Sequence, residues 1–267
     1  MVTAANQIER QGMNAPAPRL LPRPRPLPGF DGIALFLDLD GTLAAIEPRP
    51  EDVGPQAWRT DLLRRLGERL DGRMAVISGR SLEEVDRILE GAVIAVAAVH
   101  GLVRRRSDGI IEQSSPDPAL GAARERFQTL CADFPGLTLE DKDLSLSVHY
   151  RQAPELAETV HKAAEAICAG TGLKLQLGHM VDEVRSPGLD KGGAVRAFMR
   201  EAPFKGAVPV FVGDDLTDED GFRAARALGG VSILVGVARA TAADMRLEDV
   251  AAVRGWLEAA LARDQVT

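Results

Sequence analysis

The chain has 267 residues, of which 45% are apolar, 27% are charged and 4% are aromatic, values that fit one large or two small globular domains. A net charge of −7 argues against nucleic acid or an anionic membrane as a partner, because both require a concentrated basic surface. No apolar run is long enough to span a bilayer and no secretory signal pattern is present, which predicts a cytoplasmic protein.

The first predicted segment is a proline- and arginine-rich tail, residues 1–29, in which proline occupies every second position from Pro22 to Pro28. Such spacing excludes helix and removes hydrogen-bond donors from any strand ladder. We therefore predict a disordered or extended tail. A ligand for a proline-recognition domain is the alternative to a simple leader.

Alternating strands and helices follow the tail. The apolar runs at 33–37, 74–77 and 93–99 are typical of strands buried on both faces of a parallel sheet. A helical pattern covers 56–70, and a capping box opens a second helix over 81–89. The order predicts a doubly wound α/β fold.

The pattern changes to an inserted α+β module at residues 107–184. Residues 144–150 alternate apolar and polar side chains, which predicts a strand with one exposed face. The segments 173–177 and 180–184 predict two more such strands, joined by a tight turn. Helical patterns cover residues 118–133 and 154–169.

The α/β pattern resumes near residue 190. Helices are predicted at about 191–200 and 247–262, and strands at 208–212 and 233–235. The predicted catalytic core therefore consists of residues 30–106 and 185–267, with the module of residues 107–184 inserted as a cap.

Polar clusters stand at the ends of the predicted core strands. They are Asp38 with Asp40, Ser78-Gly79-Arg80, Lys191, and Asp214 with Asp215 and Asp218. Ligands of open α/β sheets bind beyond the carboxyl ends of the strands. These distant segments are therefore predicted to form one site.

The residue types in this site predict phosphoryl chemistry. Asp38, Asp40 and Asp214 offer the hard oxygen ligands that suit Mg²⁺, and a cation must neutralise a phosphate before a carboxylate attacks it. Asp38 is the predicted nucleophile and Asp40 the predicted general acid and base. Ser78 and Lys191 are predicted to bind phosphoryl oxygens.

Taken alone, Asp38-x-Asp40-Gly41 also occurs in turns and calcium loops. An EF-hand loop is disfavoured, because Thr42 stands at the next ligand position and no Glu closes a twelve-residue loop.

Together, the four polar clusters resemble those of the haloacid dehalogenase-like phosphatases. That resemblance implies a Rossmann-like parallel-sheet core with a mobile cap, Mg²⁺, an Asp38 nucleophile and an Asp40 acid/base. Longer sequence segments are similar to those of the trehalose-6-phosphate phosphatases. These segments lie at residues 77–81, 100–102, 140–151, 183–185 and 213–220.

The narrower resemblance implies hydrolysis of trehalose 6-phosphate and a functional link to trehalose-6-phosphate synthase. It implies substrate contacts by Gly41, Arg80, His100, Glu140, Lys142 and Glu183, with Asp215, Asp218 and His179 as further candidates. Without the resemblance, the charged cap residues would be interpreted as the wet face of a strand. His149 is interpreted as a surface or strand-partner histidine. Val99 and His179 stand where the family usually has Asn and Lys, which bears on substrate details.

Three alternatives to this function remain open at the sequence level. The first is another sugar phosphate, such as sucrose 6-phosphate or a mannosyl-3-phosphoglycerate. The second is a non-catalytic regulatory module, which is disfavoured because Asp38, Asp40 and Asp214 are all present. The third is a phosphomutase.

Overall fold

The computed structural model describes residues 21–25, 30–178 and 180–264, so His179 lies outside the described residues. Its strands are β1 (Ile33–Leu37), β2 (Met74–Ile77), β3 (Ala95–Ala98), β4 (Val103–Arg105), β5 (Ile111–Gln113), β6 (Thr138–Asp141), β7 (Ser145–His149), β8 (Lys174–Gly178), β9 (Val181–Arg185), β10 (Val208–Gly213), β11 (Val231–Val235) and β12 (Met245–Leu247). Its helices are α1 (Ala57–Arg69), α2 (Leu82–Leu89), α3 (Leu120–Asp133), α4 (Ala157–Ala169), α5 (Lys191–Phe198), α6 (Glu219–Ala227) and α7 (Val250–Asp264). Within these described ranges, none of the helices is long and apolar enough to cross a bilayer.

The larger sheet has eight strands in the order β12-β11-β10-β1-β2-β3-β4-β5. The first six in this order are parallel, and β4 and β5 add an antiparallel edge. Leu35 on β1 packs into the core on one face of the sheet and Phe36 into the core on the other. Burial on both faces explains the unbroken apolar run and confirms the predicted α/β class.

The smaller sheet has four antiparallel strands in the order β6-β7-β9-β8. Leu146 and Val148 of β7 pack with Phe127 of α3 and Ile167 of α4, so both helices cover one face. The alternation of residues predicts that the opposite face is exposed to solvent. In the structure it is not, because Ser145 and Ser147 are both buried. This face turns toward the larger sheet.

The boundary between the two sheets lies later than the predicted residue 107. Strand β5 extends to Gln113 and pairs with β4 in the larger sheet. The predicted boundary therefore falls inside a hairpin of the core, and α3 is the first helix of the smaller module.

The described part of the tail, residues 21–25, has neither helix nor strand and packs on the core. Pro24 is buried, the carbonyl oxygen of Pro22 accepts a hydrogen bond from the amide of Arg246 at 3.0 Å, and that of Arg25 accepts one from Trp256 Nε1 at 3.0 Å. The segment thereby covers strand β12, whose backbone would otherwise be a free sheet edge.

Candidate active site

Asp38 is the first residue after β1, and the sheet positions it. Its amide donates to the carbonyl oxygen of Val212 at 2.9 Å, which continues the parallel pairing of β1 with β10 by one residue. Asp214 follows β10 directly. Adjacent parallel strands therefore bring two carboxylates to one edge although they stand 176 positions apart in sequence (214 − 38).

Lys191 joins this edge from the first turn of α5. Its Nζ donates to Asp38 Oδ1 at 2.7 Å and to Asp218 Oδ1 at 2.7 Å, and all three side chains are buried. Asp218 Oδ2 accepts hydrogen bonds from the amides of Asp214 and Asp215, each at 3.0 Å. Asp218, a secondary candidate from sequence, is thus at the centre of the network.

The carboxylates of this network crowd one another in a dry environment. Burial raises the pKa of Asp38 to about 7, with Asp218 and Asp40 adding to the rise and Lys191 opposing it. Burial, together with Asp38 and Asp218, raises the pKa of Asp214 to about 9. Burial alone would lower the pKa of Lys191, but Asp218 and Asp38 raise it above its ordinary value. The site therefore has more negative charge than its one lysine offsets.

This charge imbalance fits a divalent cation. Oxygens of Asp38, Asp214 and Asp218 lie within 4.8 Å of one another, and Asp214 Oδ1 is buried with no hydrogen-bond partner. Both oxygens of Asp218 are already occupied, so Asp38 and Asp214 are the better donors. Hard oxygen donors of this kind suit Mg²⁺.

The carboxylate of Asp40, which the sequence predicts as a third Mg²⁺ ligand, pairs with Arg80 in the structure. Arg80 Nε donates to its Oδ2 at 2.7 Å and Arg80 Nη2 to its Oδ1 at 2.8 Å. Arg80 Nη1 donates to Glu84 and to the carbonyl of Pro50. Arg80, predicted to contact substrate, therefore makes a bidentate contact that orients Asp40. The backbone amide of Arg80 donates to Ser78 Oγ at 3.1 Å.

Gly41, another predicted substrate contact, lies against the Asp214 carboxylate in the structure. Its φ is +79°, and a Cβ at this position would overlap the Asp214 carboxylate. The close approach of the turn to Asp214 therefore requires glycine.

Gly41→Ala is expected to lower the free energy of unfolding by clearly more than about 1 kcal/mol, the cost of a left-handed alanine alone. Gly32→Ala is the matched control, because Gly32 has φ +68° but nothing lies within 4 Å of the position that its Cβ would take. Urea unfolding of both variants measures the difference. Equal losses would show that the contact with Asp214 carries no cost.

Opposite this edge, the face of the smaller sheet turned toward the core carries charges that pair with one another. Glu183 Oε2 lies 2.8 Å from His100 Nε2, a contact between the two sheets' modules. Glu140 Oε2 lies 3.3 Å from Lys142 Nζ and 2.8 Å from His149 Nε2. Burial would raise the pKa of Glu183, but His100 and Lys142 hold it below its ordinary range.

The turn that presents His100 is strained. Val99 and His100 have φ +46° and +55°, and the imidazole packs against Gly79, where a Cβ would lie 2.6 Å from Nε2. A β-branched residue in the left-handed region costs about 1–3 kcal/mol, whereas asparagine tolerates it. Val99 is buried in the core. Its difference from the asparagine that the resemblance implies therefore bears on the backbone conformation of this turn.

A cavity of about 510 Å³ lies between the two sheets. Asp38, Lys191 and Asp214 line its floor, and Glu140, Lys142 and Glu183 line its roof. Sequence reasoning did not predict several further lining residues, namely His149, Arg151, Gln152 and Gln176. His149 could have been found from its place two residues beyond Ser147 on the same face of β7.

Two kinds of sequence comparison agree on the family. The family model described as trehalose-phosphatase matches residues 36–251. The trehalose-6-phosphate phosphatase of Escherichia coli is 41% identical over 84% of this chain and 85% of its own length. This chain belongs to the trehalose-phosphatase family. A probable trehalose-phosphate phosphatase of Sinorhizobium fredii is 34% identical over 78% of the chain and 79% of its own length.

Solved structures of trehalose-6-phosphate phosphatases and of a further phosphatase have the same fold. A trehalose-6-phosphate phosphatase related protein is 28% identical with a TM-score of 0.69, covering 88% of this chain and 99% of the other. The C-terminal domain of Candida albicans trehalose-6-phosphate phosphatase, 20% identical, has a TM-score of 0.81 over 92% and 99%. A Bacteroides thetaiotaomicron phosphatase of the haloalkanoate superfamily, 18% identical, has a TM-score of 0.57 over 95% and 98%. The predicted family and the predicted α/β fold class are confirmed, and the protein is a phosphatase.

Proposed function

We propose that this trehalose-phosphatase hydrolyses trehalose 6-phosphate to trehalose and phosphate, with Mg²⁺, through an aspartyl-phosphate on Asp38. The observation that carries the proposal is the cavity, which joins a buried acidic floor suited to phosphoryl transfer with a roof of charged hydrogen-bonding groups. Its volume of about 510 Å³ suits a small molecule the size of a disaccharide phosphate.

In the first chemical step, a carboxylate oxygen of Asp38 forms a bond to phosphorus and the bond from phosphorus to the sugar oxygen breaks. The contact from Lys191 Nζ to Asp38 Oδ1, 2.7 Å long, holds the carboxylate in place for attack. Asp38 and Asp214 would hold Mg²⁺, which when bound supplies positive charge against the phosphoryl oxygens. The ammonium of Lys191 adds to that charge.

Asp40 gives a proton to the departing sugar oxygen and then takes one from the water that attacks the phosphorus of phospho-Asp38. Phosphate leaves and the Asp38 carboxylate is regenerated. Both Asp40 oxygens contact Arg80, so one of them has to exchange this partner for the leaving oxygen.

On the roof of the cavity, Glu140, Lys142, Glu183 and His100 are proposed to bind the sugar hydroxyls. In the structure these groups hydrogen-bond to one another, so substrate hydroxyls replace those internal bonds. A site built for such bonds rejects analogues that lack the hydroxyls, by roughly 10⁴-fold or more. The functional link to a trehalose-6-phosphate synthase stays a prediction.

A panel of sugar phosphates assayed for phosphate release with Mg²⁺ tests the substrate. Trehalose 6-phosphate is expected to give the highest kcat/KM, with glucose 6-phosphate and sucrose 6-phosphate far behind. Removal of divalent cations with EDTA is expected to stop turnover, and added Mg²⁺ to restore it. Greater activity on sucrose 6-phosphate or a mannosyl-3-phosphoglycerate would refute the proposed substrate.

The raised pKa values of Asp38, about 7, and Asp214, about 9, predict a pH-dependent effect of the cation on stability. In the metal-free protein these groups hold protons that the unfolded chain, with a pKa of 3.8, releases. Their stabilising contribution is therefore full below about pH 4, falls as pH rises and is gone above about pH 9. Mg²⁺ can replace those protons. The rise in unfolding temperature on adding Mg²⁺ is therefore expected to be larger at about pH 8.5 than at about pH 6.

Thermal unfolding at both pH values, with and without Mg²⁺, checks this effect. In the Asp214→Asn variant, one of the two crowded carboxylates is absent and the difference between the two pH values is expected to shrink. A rise in unfolding temperature that is the same at both pH values in the wild-type protein would contradict the prediction.

A further inference from the structure

Arg239 lies in the loop between β11 and β12 and contacts the segment that carries Asp214. Its Nη2 donates to the carbonyl oxygens of Asp214 at 3.2 Å and Asp215 at 2.8 Å. Its Nη1 contacts Glu219 Oε1 and donates to the carbonyl of Ala240 at 3.2 Å. Neither the sequence motifs nor the proposed chemistry assigns a role to this side chain.

These contacts fix the backbone on both sides of the Asp214 Cα. The carbonyl of Asp214 and the amide of Asp215 belong to one planar peptide unit. Arg239 holds the carbonyl end of this unit, and Asp218 Oδ2 holds its amide end at 3.0 Å. Asp218 also holds the amide of Asp214 at 3.0 Å. With both flanking peptide planes fixed, the direction of the Asp214 Cα–Cβ bond is set.

The charge of Arg239 is balanced where it stands. Glu219 accepts from Arg239 through Oε1 and from the amide of Ala242 through Oε2 at 2.8 Å, so the carboxylate also ties down the loop. Side-chain exposure is 24% for Arg239 and 11% for Glu219, so the pair is largely shielded. A neutral pair can orient Asp214 without adding net positive charge that would repel a cation.

We propose that Arg239, paired with Glu219, is a positioning residue for the cation ligand Asp214. It acts on the backbone of the ligand rather than on the substrate or the nucleophile. The inference rests on the proposed Mg²⁺ site and deepens it. Outer groups that orient metal ligands typically contribute 10–100-fold to metal affinity.

The test is isothermal titration calorimetry of the full chain with MgCl₂ and no substrate. Arg239→Gln is expected to raise the Kd for Mg²⁺ about tenfold. At saturating Mg²⁺, kcat is expected to stay within about threefold of wild type, because Asp38 and Lys191 keep their contacts. The Kd of Arg239→Lys for Mg²⁺ is expected to lie between those of the wild type and Arg239→Gln. An ammonium can donate to the carbonyls but lacks the forked guanidinium that also reaches Glu219. Arg239→Lys also serves if the glutamine variant folds poorly.

Arg226→Gln is the matched control for this experiment. Arg226 Nη1 donates to the carbonyl of Ala242 at 2.9 Å and Nε pairs with Asp244 at 3.2 Å, so it holds the same loop without touching Asp214 or Asp215. Its Mg²⁺ affinity is expected to match wild type. Equal weakening by Arg226→Gln, or wild-type affinity in Arg239→Gln, overturns the inference. A wild-type protein that binds no Mg²⁺ would instead overturn the proposed function.

Discussion

Asp38→Asn is expected to lower kcat by about 10⁴-fold or more while leaving the protein folded. An amide oxygen is too weak a nucleophile to form the phosphoryl-enzyme. The other carboxylate on Lys191, that of Asp218, has both oxygens engaged in hydrogen bonds and is therefore a poor substitute. The fold is expected to survive because the pKa of Asp38, raised to about 7, shows that its charge is poorly tolerated where it lies. Replacing it with a neutral isostere removes a repulsion with Asp218 and Asp214.

Steady-state phosphate release and thermal unfolding of Asp38→Asn check the two halves of this prediction. Asp31→Asn is the matched control, since Asp31 is exposed near the opposite end of the same strand. Rapid acid quenching of the wild-type protein with substrate, followed by peptide mass spectrometry, should locate a phosphoryl group on the peptide that contains Asp38. Near-normal turnover by Asp38→Asn would show that the nucleophile lies elsewhere.

Lys191→Met is expected to destabilise the metal-free protein by about 3–5 kcal/mol and to lower kcat by about 10³-fold or more. The lysine is 3% exposed and compensates two buried carboxylates, Asp38 and Asp218, at 2.7 Å each. Removing it leaves both without a cation, which is far more costly than loss of a surface pair. The nucleophile also loses the contact that orients it.

The stability loss and the activity loss of Lys191→Met can be separated. Mg²⁺ is expected to restore part of the unfolding free energy, because it offsets the same carboxylates. The double variant Lys191→Met/Asp218→Asn should regain stability without regaining activity, since one uncompensated charge is removed. Lys162→Met is the matched control: its partner Glu158 is 69% exposed, and no change in the urea midpoint is expected. A Lys191→Met variant as stable as this control would contradict the role of Lys191 in compensating the buried carboxylates of Asp38 and Asp218.

The agreement between sequence and structure is closest where a pattern is local. The run at 74–77 coincides with β2, and the capping box at Ser81 with Glu84 opens α2, both side chains reaching the opposite backbone amide. Strand β4 and strand β5 are three residues long and have no extended apolar run, so they were not predicted. Their existence depends on pairing with the edge of β3, which is a tertiary contact.

The sequence predicts where the charged residues lie in the fold better than it predicts which of them contact each other. The sequence placed Arg80 near the site but could not show that its guanidinium contacts Asp40 through two hydrogen bonds. It predicted a substrate contact for Gly41 but could not show that this glycine approaches Asp214 closely. Such contacts are decided by side-chain directions across segments far apart in the chain.

By itself, the sequence determined the α/β core, the inserted module and which charged side chains stand at the strand ends. The spacing of apolar residues and the end of each strand can both be read from short stretches of sequence. Tertiary structure alone decided how those charges pair: Lys191 between Asp38 and Asp218, Glu183 against His100, and Arg239 on the carbonyls of Asp214 and Asp215. Charge pairing depends on distances of a few ångströms between remote segments. Those distances are fixed only when both sheets and the loops between them have packed.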